Sequence, residues 1–207
     1  MEIEFFAPWK GIRIEIAWWL CVVGLLGMGG FWLWRWRRGA SWKAIEVEIA
    51  LGKVGKVKLT PNHETLRIAH QAWAELATRK AALPFEVDHD VIVEVYDSWY
   101  VLFGELRALV KSVPAEQLST GQPAALLVEV LVQALNDGLR PHLTRWQAKY
   151  RAWWEIETTK AENGGVAPQE LQRRFPEYGT LLTDLLLVNR DLQEFSEALR
   201  KIARKEA

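Results

Sequence analysis

Cysteine is almost absent from this chain: Cys21 is the only one, and it lies inside an apolar N-terminal run. One thiol closes no internal disulfide, and the rest of the sequence has no thiolate to offer as nucleophile or metal ligand. A reducing compartment suits that pattern. Net charge is absent as well, with 26 Lys and Arg against 26 Asp and Glu. No global field then draws nucleic acid or lipid, so any such binding must come from a local patch. Histidine is scarce, and its four copies (His63, His70, His89 and His142) are scattered. His63 and His70 fall two turns apart on one expected helix, too far to share a metal as an i, i+4 pair would. No metal and no cofactor is expected. There is no glycine-rich phosphate loop and no nucleophile elbow, and serines are few. Asp88-His89-Asp90 reads as a helix start rather than a catalytic dyad. The chain is therefore expected not to be an enzyme.

Tryptophan is what the sequence has in excess. Seven of the twelve (Trp9, Trp18, Trp19, Trp32, Trp34, Trp36 and Trp42) fall in the first 42 residues. Between Ile16 and Trp34 there are 19 residues without a charge. At about 1.5 Å per residue these span nearly 30 Å, the thickness of a hydrocarbon core. Tryptophans towards both ends suit the lipid interfaces, where indole buries its ring and keeps its N–H near water. A cleaved signal peptide would want a basic start and a small-residue exit; here Glu2 and Glu4 precede the run and Arg35, Arg37 and Arg38 follow it. The expectation is one transmembrane helix, 16–36, after an extracytoplasmic tail, 1–15.

Lys10 and Arg13 precede the span, whereas seven Lys and Arg lie between Arg35 and Lys58. The positive-inside rule then puts the N-terminus outside and the C-terminal domain in the cytoplasm, as for a single-pass protein of a bacterial inner membrane. Ala17, Cys21, Gly24 and Gly27, with Gly30, keep broadly to one side of the span. Small residues let helix backbones approach closely in lipid, so this strip is read as an oligomerisation face. Gly29 beside Gly30 also reads as a flexible spot near the inner interface.

After the anchor, Ile45-Glu46-Val47-Glu48-Ile49 and Val57-Lys58-Leu59 alternate apolar and charged residues around the turn Gly52-Lys53-Val54-Gly55. That pattern predicts a β-hairpin linker, 43–59, which must pack on the domain or on another subunit because two strands alone are marginal in water. The remainder, 60–207, reads as a mainly α domain, a cytoplasmic bundle of about four helices. Thr60-Pro61-Asn62 opens a helix to about Ala81 carrying Leu66, Ala69, Trp73 and Leu76 on one stripe. Asp88 or Asp90 caps a second to about Val113. A third runs from Pro123 to about Glu157, kinked or broken at Asp137-Gly138-Leu139-Arg140-Pro141. Short and long helices follow at Pro168–Phe175 and Thr180 to about Arg204. Two seams step by 3 and 4 throughout: Ile92, Val95, Trp99, Leu102, Leu106, Leu109 and Val113, then Leu181, Leu185, Val188, Leu192, Phe195, Leu199 and Ile202. They predict near-parallel packing. Whether they meet within one chain or between chains is open from the sequence.

The stretch from Leu139 to Trp154 interleaves four cations (Arg140, Arg145, Lys149, Arg151) with four large aromatics (Trp146, Tyr150, Trp153, Trp154). On a helix His142, Arg145 and Lys149 share one face, and Trp146, Tyr150 and Trp153 the adjoining one. Cations beside flat rings suit a single-stranded nucleic acid or a nucleotide, and Arg140, His142, Arg145, Trp146, Lys149 and Arg151 are the candidate ligand residues. Ordinary amphipathicity is the competing account, with Leu143, Trp146, Tyr150 and Trp153 as core and the cations as a solvated face.

The run Gly138-Leu139-Arg140-Pro141-His142-Leu143-Thr144-Arg145-Trp146-Gln147, with Ala69-His70-Gln71-Ala72-Trp73 upstream, resembles the membrane effector of Hailong-type bacterial antiphage defence. The resemblance implies a homo-oligomer, a tetramer among the candidates, held inactive by a short single-stranded deoxyadenylate made by a partner nucleotidyltransferase. Loss of that strand would release a membrane-damaging channel and abort the infection. A membrane-tethered scaffold, docking a protein partner through an exposed helical face, is the alternative.

Overall fold

The computed structural model describes Met28, residues 44–49 and residues 55–206. The expected transmembrane helix 16–36, Met28 apart, lies outside the described residues, as do the tail 1–15 and the strip of Ala17, Cys21, Gly24 and Gly27. Among the described residues no helix is long and apolar enough to cross a membrane. All of them except Met28 belong to one unit, Trp42–Ala207. That unit is mainly helical.

Strands β1 (Ile45–Ile49) and β2 (Gly55–Leu59) pair antiparallel. The register sets Ile45 opposite Leu59, Val47 opposite Val57 and Glu46 opposite Lys58. Gly55, expected in the turn, instead closes the ladder opposite Ile49. With a side-chain period of two, one face is apolar and the other charged. Val57 and Leu59 are buried in the core of the helical unit, while Glu46 and Lys58 are exposed. The hairpin thus packs on its own domain, with β1 against the last helix.

Helix α1 (His63–Ala77) starts where the sequence places it, because Asn62 Oδ1 accepts from the Thr65 amide at 2.8 Å and Glu64 lies in the first turn. A capping oxygen and an acidic first turn satisfy free amides and the helix dipole. Its buried stripe is Thr65, Ile68, Ala69, Ala72 and Leu76, so Leu66 and Trp73 flank the core rather than centre on it. It ends four residues short of Ala81, at Thr78, whose hydroxyl donates to the Ala74 carbonyl at 2.7 Å.

Helix α2 (Ile92–Lys111) corrects the expected cap. Neither Asp88 nor Asp90 caps it, and Val91 at the N-cap makes no side-chain bond. The Ile92 amide donates instead to Gln172 Oε1 at 3.0 Å, and Gln172 Nε2 donates to the Asp90 carbonyl at 3.0 Å. Asp90 accepts from the Glu86 amide at 2.8 Å and pairs with Lys80 at 3.0 Å, tightening the turn that precedes the helix.

The chain does not break before Pro141. Helix α3 (Pro123–Gln133) runs into a π-helical segment, Ala134–Leu139, and then into α4 (Arg140–Thr159). Proline lacks an N–H and its ring crowds the carbonyl one turn back. Widening the preceding turn to π relieves that crowding and leaves Pro141 in the first turn of α4, where no intrahelical donor is needed. After a short α5 (Pro168–Gln172), α6 (Tyr178–Arg204) extends 27 residues to Lys205, which adopts φ 57° at the cap.

α1 lies along α6 in the most extensive helix pair, and α2 packs on α1, α3 and α4. Within this framework the two seams are buried inside one chain. On α6, Leu181, Leu185, Leu192, Phe195, Leu199 and Ile202 are buried, with Val188 half-buried; on α2, Ile92, Val95, Trp99, Leu102 and Leu106 are buried and Leu109 half-buried. Val113, beyond the end of α2, is buried as well.

Candidate functional site

The basic-aromatic stretch forms α4, and the fold sorts its six candidate residues into three groups. Arg140 and Arg151 turn towards α2. The Arg140 guanidinium lies 4.8 Å from the Phe103 ring centre, with Nε donating to Asn136 Oδ1 at 3.1 Å. Arg151 pairs with Asp97. Arg145 and Lys149 turn the other way, over the Trp146 ring, at 4.8 and 5.9 Å from its centre. Lys149 also pairs with Glu177 at the start of α6. Arg145 makes no ion pair among the described residues.

His142 and Trp146 form the third group, and both are buried, at 3% and 1% exposure. The His142 ring joins three helices. Its Nδ1 lies 2.9 Å from Asp184 Oδ2 on α6, and its Nε2 lies 3.0 Å from the Tyr96 hydroxyl on α2. Trp146 Nε1 donates to the same Asp184 oxygen at 2.8 Å. An ionised carboxylate only accepts, which assigns the imidazole proton to Nδ1 and makes Nε2 the acceptor for Tyr96 O–H. The direction is consistent throughout: Tyr96 donates to His142, and His142 and Trp146 donate to Asp184.

Electrostatics follow the burial. Burial pushes the His142 pKa below its ordinary value, with Arg145 adding to the depression, and the bond to Asp184 opposes it without winning. Burial pushes the Asp184 carboxyl up, but hydrogen bonds from His142 and Trp146, with the positive charge of Arg145, hold it below the usual carboxylate range. Tyr96 is raised well above the ordinary phenol by burial. At neutral pH the set is Asp184 charged, His142 neutral and Tyr96 protonated.

The remaining aromatics form a packed cluster. Tyr150 is fully buried, edge-on to Tyr96 at 6.1 Å and to Phe175 at 5.3 Å, with Trp153 and Trp154 half-buried beside it. Trp146 and Tyr150 therefore present no free ring face and lie in the core, as the amphipathic account of this helix has them. His142 is likewise out of reach of a phosphate. Arg140, Arg145, Lys149 and Arg151 remain at or near the surface. Arg145 also borders an open depression of about 420 Å³ with Gly179, Thr180, Thr183, Asp184 and Leu187.

Asp184 and Tyr96 were not distinguishable in the sequence as partners of His142. The one available hint was the pairing of His142 with Trp146 one turn on, two apolar-bodied side chains whose polar tips need an acceptor once buried. Among the described residues no group of acidic, histidine or cysteine side chains could hold a metal ion. Compared with known proteins, the chain matches no family model, no curated protein and no solved structure.

Proposed function

We propose that this protein is an oligomeric, membrane-anchored effector of bacterial antiphage defence whose helical domain, on the cytoplasmic side, binds an anionic single-stranded DNA ligand that controls membrane damage. The observation that carries the proposal is the uncharged run of 19 residues from Ile16 to Trp34, fringed by tryptophan and followed by Arg35, Arg37 and Arg38. Such a run is expected to span a bilayer with its basic edge inside. Self-association through Ala17, Cys21, Gly24 and Gly27 would bring the domains together. With no charge of its own, the span makes a poor water path, so conduction needs several copies that expose glycine backbone or rearrange.

Arg145 and Lys149 are the favoured ligand cations because they lie together over Trp146, and Arg145 has no ion-pair partner among the described residues. Phosphate contacts alone would give salt-dependent binding of low sequence preference. A ligand shifts the open–closed balance only if it binds the two assemblies unequally. The scaffold alternative would have to dock through a helical face other than the two heptad seams, which are buried within the chain.

Full-length protein in liposomes tests the proposal through ion leakage with and without single-stranded oligodeoxyadenylate. Leakage without the oligonucleotide and its suppression on addition is the expected outcome. Arg145→Glu with Lys149→Glu should weaken oligonucleotide binding by about tenfold or more, as loss of phosphate contacts does, and leave the unliganded leakage in place. An absence of leakage in every ligand state contradicts the proposal.

A further inference from the structure

The proposed function makes no use of the buried histidine. His142 sits where α2, α4 and α6 meet, and each of its ring nitrogens has one partner fixed by a separate helix: Asp184 from α6 and Tyr96 from α2. From its own helix Arg145 contributes the nearby positive charge, and the Trp99 ring of α2 packs edge-on at 5.7 Å. The one hydrogen-bond partner of Nε2 is the Tyr96 hydroxyl, which donates to it in the neutral state. A second ring proton on Nε2 would turn that hydroxyl into an acceptor, and its own proton, on a residue 0% exposed, has no other hydrogen-bond partner among the described residues. A buried polar group deprived of its partner is costly, and so is a buried charge only partly compensated.

We infer that the Tyr96–His142–Asp184 chain is an acid-sensitive clasp: the neutral ring ties α2, α4 and α6 together, and its protonation releases that corner of the domain. Release would free Asp184 and loosen the wall of the depression that Arg145 borders. The sign follows from burial. The unfolded chain takes up a proton at His142 near pH 6.5, the ordinary histidine value, while the folded chain resists it until lower pH. Stability from this site is complete above that value and is lost as the pH falls below it. The carboxylate of Asp184, held below its own ordinary value of 3.8, acts in a separate and more acidic window.

The full chain in detergent micelles is the sample for the test. Side-chain ¹⁵N NMR, with His142→Gln to assign the signal, should find His142 neutral, protonated on Nδ1, and titrating below the ordinary histidine value of 6.5. Melting temperature should fall with pH below 6.5 in the wild type, and that acid limb should flatten in His142→Gln. Hydrogen exchange corrected for intrinsic rates should rise over the same range at the start of α4 and along α6 near Asp184. Tyr96→Phe removes the bond to neutral Nε2 and brings the folded value back towards 6.5, so the acid limb should become shallower than in the wild type. Titration of His142 at or above 6.5, or an unchanged acid limb in His142→Gln, overturns the inference.

Discussion

Asn189→Leu is expected to lower the stability of the helical unit by about 3 kcal/mol, the cost of stranding more than one buried backbone group. Asn189 is 2% exposed in the middle of α6. Its Nδ2 lies within 3.1 to 3.2 Å of the carbonyls of Lys80, Ala81 and Leu83. Its Oδ1 accepts from the Phe85 amide at 3.0 Å and from Gln193 at 2.8 Å. The loop between α1 and α2 has no ladder of its own, and this one amide satisfies both its donor and its acceptors. Leucine keeps the branched shape but is bulkier, so some overpacking adds to the lost hydrogen bonds. Asn189→Asp should be at least as damaging, because the carboxylate cannot donate and meets three carbonyl dipoles. Urea unfolding followed by far-ultraviolet circular dichroism reads the change. A midpoint within the range of ordinary surface substitutions, about 0.5 kcal/mol, would remove Asn189 from its structural role.

Trp146→Ala is expected to cost about 4 kcal/mol, the usual range for truncating a large buried aromatic. The indole is 1% exposed and donates to Asp184, so the substitution opens a cavity and deprives the carboxylate of one of its two donors. Trp146→Phe keeps one ring but loses the N–H and part of the bicycle, for an intermediate cost of about 2 kcal/mol. The truncation also separates the two roles that the sequence left open for this residue. A ring that stacks on a nucleic-acid base would lose ligand affinity on truncation with little effect on folding. The buried ring should do the reverse, lowering stability most, with oligonucleotide affinity of the folded fraction changed only through the Arg145 and Lys149 side chains that lie over it.

Periodicity made most of the fold legible. The seams of α2 and α6 could be written down from steps of three and four because burial of apolar area outweighs other local preferences. What periodicity does not carry is the long-range polar contact. The first turn of α2 is closed by Gln172, 80 residues from Ile92, and nothing near Asp88 or Asp90 announces that either is passed over. Pro141 signalled an interruption, but whether the backbone would break, kink or widen depends on what the flanking helices pack against.

The site divides in the same way. The cations of α4 were visible as charges, yet their split between the α2 side and the α6 side depends on the rotation of the helix within the bundle. Nothing in the sequence singled out Asp184, which lies off the apolar seam of its helix. It acquires its role from His142, 42 residues away in sequence and 2.9 Å away in space.

Membrane partition of the full-length chain tests the central claim most directly. Bacterial membranes carrying the protein are washed with alkaline carbonate and then treated with detergent. Retention in the washed pellet and release by detergent alone is the expected result, as for a protein with a helix embedded in hydrocarbon. A full-length product that stays in the supernatant as a monomer without detergent would contradict it, and would take the topology and the proposed gating with it.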